Sequence, residues 1–222
     1  MKDDRGLSLI ELIVAMFLTS IVLVVTVSLF VSTTKSANVA QSIDGGTRQA
    51  SNGMNELARM IRAATPNPYS NPAPGTPLNE PALTSASANS VTFYAYVNLT
   101  ASGESPVKVT YTVNAQGRLA ETQCKATTTT AGVNGHWDFV TGTACVTRYL
   151  CNSLPTTGQL FHYLTAGGVE ISPPGTDATL LPTIRAIKVS LTIQPTGKAN
   201  AVTLTNTVGM PNLGFVTTGT GS

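Results

Sequence analysis

The sequence predicts an α+β protein, one long N-terminal helix followed by an antiparallel β-sheet region, and three observations carry that expectation. Residues 12–31, LIVAMFLTSIVLVVTVSLFV, contain no charge, glycine or proline. From there to Pro66 the apolar residues recur at helical spacing, and beyond a proline-rich stretch they alternate with polar ones as in half-buried strands. With 42% hydrophobic and 11% charged residues, the 222-residue chain is too apolar for a disordered tail. Its 13 Lys and Arg against 11 Asp and Glu leave a net charge of +2, which excludes a polyelectrolyte built to coat nucleic acid.

The apolar run comes first. About 20 residues at about 1.5 Å each cross the roughly 30 Å hydrocarbon core of a bilayer once. The run exceeds the roughly 7–15 residues of a cleavable secretory signal, and the segment after it offers only a weak small-x-small site at Asn38 to Ala40. A plain signal anchor satisfies the length but does not account for Glu11. This carboxylate sits at the edge of the run, and no further charge follows until Lys35. A charge in the bilayer interior costs at least about 2.5–3.5 kcal/mol, so such residues are usually paired. No cation lies within the run, but a cut before Leu7 would expose an α-ammonium four residues ahead of Glu11.

The stretch Gly6-Leu7-Ser8-Leu9-Ile10-Glu11-Leu12 resembles the class III signal of type IV pilins and type II secretion pseudopilins. That pattern is a short polar leader, Gly, an apolar residue, then Ser/Thr-Leu-Ile-Glu-Leu. The resemblance implies that a prepilin peptidase cuts after Gly6 on the cytoplasmic side and methylates the new amino group of Leu7. It also implies that Glu11 meets the methylated N-terminus of a neighbouring subunit and sets its register. The chain departs from the pattern twice. Lys2 and Arg5 of the leader are offset by Asp3 and Asp4, so orientation rests on the resemblance more than on charge. The proline that many major pilins carry in mid-helix is absent near Ser28; either the helix is straighter here or Gly45-Gly46 supplies the weak point.

The second half of the helix is amphipathic. Val39, Ile43, Ala50, Met54, Leu57, Ile61 and Ala64 form one stripe, with Arg48, Asn52, Asn55, Arg59 and Arg62 mostly off it, facing water or a neighbouring subunit. Pro66 ends a helix expected over residues 7–65. Six of the 13 prolines follow in PNPYSNPAPGTPLNEP, a surface loop or linker. The expected organisation is a leader over 1–6, an apolar helix over 7–31, its amphipathic continuation over 32–65, a proline-rich linker over 66–90 and a β-rich domain over 91–222.

Within that domain Val91, Phe93 and residues 94–97 suggest one strand. Val107, Val109, Tyr111 and Val113 suggest a second, turning at residues 114–117 into a hairpin partner over 118–124. A Thr-rich excursion leads to Cys145 and a strand through Cys151. Ile187, Val189, Leu191 and Ile193 alternate again, turn at residues 195–198 and continue through Val202 and Leu204. No internal repeat is visible. The helix end ELARMIRAAT, Phe161-His162-Tyr163 before Gly167-Gly168, and IRAIKVSLTI resemble J-type pseudopilins and W-type minor pilins, whereas Glu11 argues against the K-type tip subunit.

Three cysteines in an exported domain suggest one disulfide and one spare thiol. An extended strand separates Cys145 from Cys151 by about 20 Å, so Cys124 is the shared partner. Pairing with Cys145 is favoured, pairing with Cys151 is close behind, and three reduced thiols remain an alternative. His136 beside Trp137 and Asp138 has no second His at ligand spacing and reads as structural, and His162 reads as an exposed strand residue. No nucleophile elbow, Walker loop, dinucleotide fingerprint or Cys-x-x-Cys pair occurs, so neither an enzyme nor a cofactor is expected. Asn98-Leu99-Thr100 has the form of a glycosylation site.

The resemblance therefore implies a minor pilin or pseudopilin, anchored once in the bacterial cytoplasmic membrane with its N-terminus inside and then drawn into an extracytoplasmic filament or tip complex. Its implied partners are other pilins, prepilin peptidase and the inner-membrane assembly platform. A near-neutral β region without a basic run gives no support for nucleic-acid binding. The alternative is a membrane-tethered binding or sensor protein that never enters a filament.

Overall fold

A computed structural model of the chain describes residues 8–72, 74–75, 77–97, 105–194 and 201–213. Gly6, Leu7, the Asn98-Leu99-Thr100 sequon and the turn expected at residues 195–198 lie outside the described residues. Helix α1, Leu9–Arg62, runs unbroken for 54 residues, about 80 Å at about 1.5 Å per residue. Ser8 is extended before it, and its carbonyl accepts from the Glu11 and Leu12 amides. Arg59 and Arg62 occupy the last turn, where positive charge complements the carbonyl end of the helix.

Gly45-Gly46 does not interrupt α1. A Cβ on Gly46 would lie 3.2 Å from Ile193 Cγ2, so this glycine lets the helix approach the sheet closely, whereas Gly45 faces open space. The stripe behaves as its spacing dictates. Val39 and Ile43 are half-buried, Ala50, Met54, Leu57, Ile61 and Ala64 are buried, and the five polar positions between them are exposed.

Among the described residues eleven strands follow, in three sheets in place of one. β1 (Asn67–Pro68) and β2 (Asn79–Glu80) pair with each other. β3 (Leu83–Ala86), β4 (Ser90–Ala95), β5 (Val107–Val113), β6 (Leu119–Lys125) and β7 (Val146–Cys151) form an antiparallel meander in chain order. β8 (Phe161–Thr165), β9 (Glu170–Ile171), β10 (Ile184–Ile193) and β11 (Val202–Gly209) form a second sheet in the order β11-β10-β8-β9. An isolated bridge from Ala86 to Gly175 links the sheet regions.

Residues 66–90, expected as a linker, thus hold three short strands. The prolines stop at Pro81, and the proline-free Leu-Thr-Ser-Ala that follows shortly after can pair with β4, though only as an outer strand. The strand expected to reach Val97 ends at Ala95. Beyond it the Tyr96 amide donates to Ala63 O at the helix end.

Helix α1 packs on β7, β10 and β11, and one continuous core joins Leu57, Met60 and Ile61 of the helix to the inner residues of both sheets. Phe93 and Tyr111 enter from the first sheet, Phe161, Tyr163, Ile187 and Leu191 from the second. From Ala186 onward strict alternation along β10 gives one buried and one half-exposed face, the pattern expected of a sheet covered on one side. The hairpin between β5 and β6 is closed by Asn114, whose Oδ1 accepts from the Gln116 and Arg118 amides. Gly117 there has φ +66°, and a Cβ would fall 2.3 Å from Leu154 O, so only glycine fits.

Candidate functional site: a bare helix on an anchored head

The N-terminal half of α1 makes no burying contact with either sheet. Every large apolar side chain from Leu9 to Val31 is exposed, Leu9 by 78% and Phe30 by 72%. In water such a surface is unsatisfied, whereas in lipid or against other apolar helices it is covered. Three of its hydroxyls are spent within the helix. Thr19 donates to Ala15 O at 2.7 Å, Ser20 to Phe17 O at 2.7 Å and Thr26 to Val22 O at 2.8 Å. The backbone bonds run inside the helix, so the segment is long and apolar enough to cross a membrane once.

Glu11 lies in the first turn of this half, exposed on the helix surface. Among the described residues it has no ion-pair partner. The first turn favours a carboxylate through the helix dipole, but only partly offsets the cost of holding one in an apolar layer.

The other half of α1 is fixed to the head by apolar packing and by a charge network that sequence reasoning missed. Glu121 on β6 is fully buried and accepts from Arg148 Nε at 2.5 Å and from Gln123 Nε2 at 2.6 Å. Arg148 Nη2 also donates to Glu56 Oε1 of the helix, and Arg59 grips both oxygens of Glu56. A helix carboxylate thus shares a strand guanidinium with a buried strand carboxylate. Arg59 foremost, with Arg148, holds the Glu56 carboxyl below its usual range, although burial opposes this. The hydrogen bond to Glu121 foremost raises the Arg148 guanidinium. The Tyr111 hydroxyl, cross-strand from Glu121, is buried without a hydrogen-bond partner of normal geometry, and burial pushes it up. The signal was present in the period-two pattern, since Glu121 falls in phase with the inward Leu119. Arg59, expected off the apolar stripe, is exposed but held by Glu56.

Cys124 and Cys145 form a disulfide, and Cys151 remains a buried thiol against Gly53 of the helix. Burial pushes that thiol up to about 12, so it stays protonated and inert at neutral pH. The excursion closed by the disulfide is pinned at its far end. The Asn67 side chain accepts from Trp137 N at 3.1 Å and donates to Trp137 O at 3.0 Å, while His136 Nδ1 donates to Pro68 O at 2.6 Å. His136 is therefore a fastening. His162, half-buried on β8, meets Glu170 Oε1 at 2.5 Å, and Lys188 meets the other oxygen of Glu170 at 3.2 Å. His162 foremost holds the Glu170 carboxyl below its usual range.

A single helix, bare and apolar over one half and anchored through the other to a β-sheet head, fits the class of membrane-associated proteins. Residues 1–27 match the family model described as the prokaryotic N-terminal methylation motif. That match supports a protein of the type IV pilin or pseudopilin type, and it points to a structural rather than a catalytic role. The motif and the apolar helix together fit a single-pass inner-membrane anchor and contact with other pilins. No curated protein matches the chain.

Proposed function

We propose that this chain is a minor pilin or pseudopilin, a subunit without catalytic activity that helps initiate or build a type IV pilus or a type II secretion pseudopilus. Prepilin peptidase cuts after Gly6 and methylates Leu7. The inner-membrane platform then draws the subunit out of the bilayer. The observation that carries this reading is the continuity of one helix: from Leu9 on, the segment matching the methylation motif runs without a break into the half that is packed on the head. Covering the bare apolar half against neighbouring helices supplies adhesion. Glu11 supplies register by pairing with the methylated terminus of a neighbour, which removes the cost of an isolated charge in an apolar layer.

Mass spectrometry of sheared surface filaments tests this directly. Trypsin releases residues 7–35 as one peptide, and the expected species begins at N-methylated Leu7, in trace amounts beside an abundant partner. A peptide starting at Gly6 and found only in membranes overturns the filament reading in favour of a tethered receptor. Glu11→Val is expected to leave processing intact while reducing incorporation, and normal incorporation of that variant would remove the docking role. Gly6→Val is expected to block processing.

A further inference from the structure

Two Asn-Gly pairs occur in the sequence, Asn52-Gly53 and Asn134-Gly135. Such a pair is chemically distinct because glycine has no Cβ to shield its nitrogen. That nitrogen can attack the preceding Asn Cγ, forming the C–N bond of a five-membered succinimide as ammonia leaves. Water then opens the ring at either carbonyl and leaves Asp or isoaspartate, so the net change is water in and ammonia out, with neither oxidant nor enzyme. Helix α1 shields the first pair, since the Gly53 amide belongs to its backbone ladder. The second lies in the excursion closed by Cys124 and Cys145, where Asn134 is exposed.

Local geometry closes this second site. Asn134 sits in the left-handed region, with φ 57° and ψ 18°, inside a single 3-10 turn over residues 133–135. Ring closure requires the Gly135 nitrogen to rotate to the side of Asn134 that carries Cβ, and this ψ holds it away. The attacking N–H is donated to Gly132 O at 3.1 Å, and the departing amide is tied through Asn134 Nδ2 to Ser70 O at 2.7 Å. That tie is one of three in a row. Asn67 holds Trp137, Pro68 O accepts from His136 and Ser70 O accepts from Asn134, so residues 67–70 strap residues 134–137.

We propose that Asn134-Gly135 is a site of spontaneous deamidation kept closed by this strap, which reacts only when the strap opens and then stops it from re-forming. The products account for the second half. An Asp side chain sets a carboxylate against the Ser70 carbonyl, two acceptors with no proton between them, and isoaspartate adds a methylene to the backbone of the turn. The inference concerns the head alone and does not rest on the filament reading.

Peptide mapping of the full chain, aged in detergent micelles in mildly alkaline buffer, tests it. Trypsin places Asn134 in residues 126–148 and Asn52 in residues 49–59, so one digest after reduction reads both sites. Asn134 is expected to deamidate at least about tenfold more slowly in the folded chain than in the chain unfolded by urea, with the Gly135 N–H protected from hydrogen exchange. Asn67→Ala removes one tie and should speed reaction at Asn134 about tenfold, while Asn52 keeps its wild-type rate as the sign of an intact helix. Asn134→Asp should reproduce the opened state, with Trp137 emission shifted to the red. Equal rates at Asn134 in folded and unfolded chain, an unprotected Gly135 amide, an Asn67→Ala rate equal to wild type, acceleration at both sites together, or wild-type emission from Asn134→Asp would each overturn the proposal.

Discussion

Replacing Arg148 with Met tests whether the buried Glu121 carboxylate depends on its guanidinium. The substitution keeps a long apolar stem and removes the charge, leaving Glu121, fully buried, with only the Gln123 amide. Breaking a buried ion pair from one side costs about 3–5 kcal/mol. Arg148 is half exposed and water reaches its end of the pair, so the lower end, about 3 kcal/mol, is expected. Glu56 also loses a partner but keeps both contacts from Arg59, which adds little. For a chain of this size each kcal/mol moves Tm by about 2–4 °C, so the variant should melt about 6–12 °C lower. The assay is thermal unfolding of the chain in detergent micelles, followed by near-UV circular dichroism of the head. Arg148→Met/Glu121→Met should recover most of the loss, because the penalty belongs to an unpaired charge rather than to a missing attraction. A single variant within about 1 kcal/mol of wild type, or a double variant no better than the single, would refute this account.

Glu56, held below its ordinary value of 4.5 by Arg59 and Arg148, contributes stability that is present above that value and lost as pH falls through the lower folded one. The stability gap between wild type and Glu56→Gln should therefore be open at pH 7 and close in acid, and a gap unchanged by acid would contradict the pairing. Gly117→Ala should destabilise the head by about 1–3 kcal/mol because of its positive φ and the 2.3 Å approach to Leu154 O. By contrast, Gly53→Ala meets only ordinary contacts of 3.6 Å or more and should be neutral or stabilising by up to about 1 kcal/mol. Denaturant titration of the two variants side by side checks the contrast. Asn67→Ala strips Trp137 of partners for both its N–H and its C=O and should cost about 2 kcal/mol, with Trp137 fluorescence shifting to the red as the segment loosens. Replacing Cys124 and Cys145 with Ser should cost about 3 kcal/mol in the chain-entropy model, read as a lower midpoint that matches that of the reduced wild type.

The long helix was legible because its signal is redundant: an uncharged run, a stripe of steps three, four and seven, and a stopping proline all point the same way. Strands β5 and β10 were legible for the same reason, each alternating strictly over most of its length. What period two does not encode is which strands share a sheet. β8 pairs with β10 across some 20 residues, and two sheets meet on one helix where one was expected. The strand β3 was hidden because Leu-Thr-Ser-Ala carries no β-branched apolar run and gains its pairing from β4 and, at Ala86, from Gly175. Of the residues singled out at the N-terminus, Gly6 and Leu7 were read from motif resemblance and lie outside the described residues, while Glu11 is placed exposed in the first turn. The Glu56–Arg148–Glu121 network escaped because a charged residue is ordinarily read as facing water, and only the phase of Glu121 with Leu119 marks it as inward.

The fastening of two separate sheets to the same helix stretch has a mechanical side. Residues 50–62 of α1 face a core drawn from both sheets, while the bare half extends from it with no second tether to the head among the described residues. A pull along the helix axis therefore loads the packed stretch lengthwise. Its apolar contacts, and the guanidinium bridge to β7, must slide together rather than peel one after another. Loading in shear spreads the force over many contacts at once, so a head mounted in this way is suited to being dragged by its own stem.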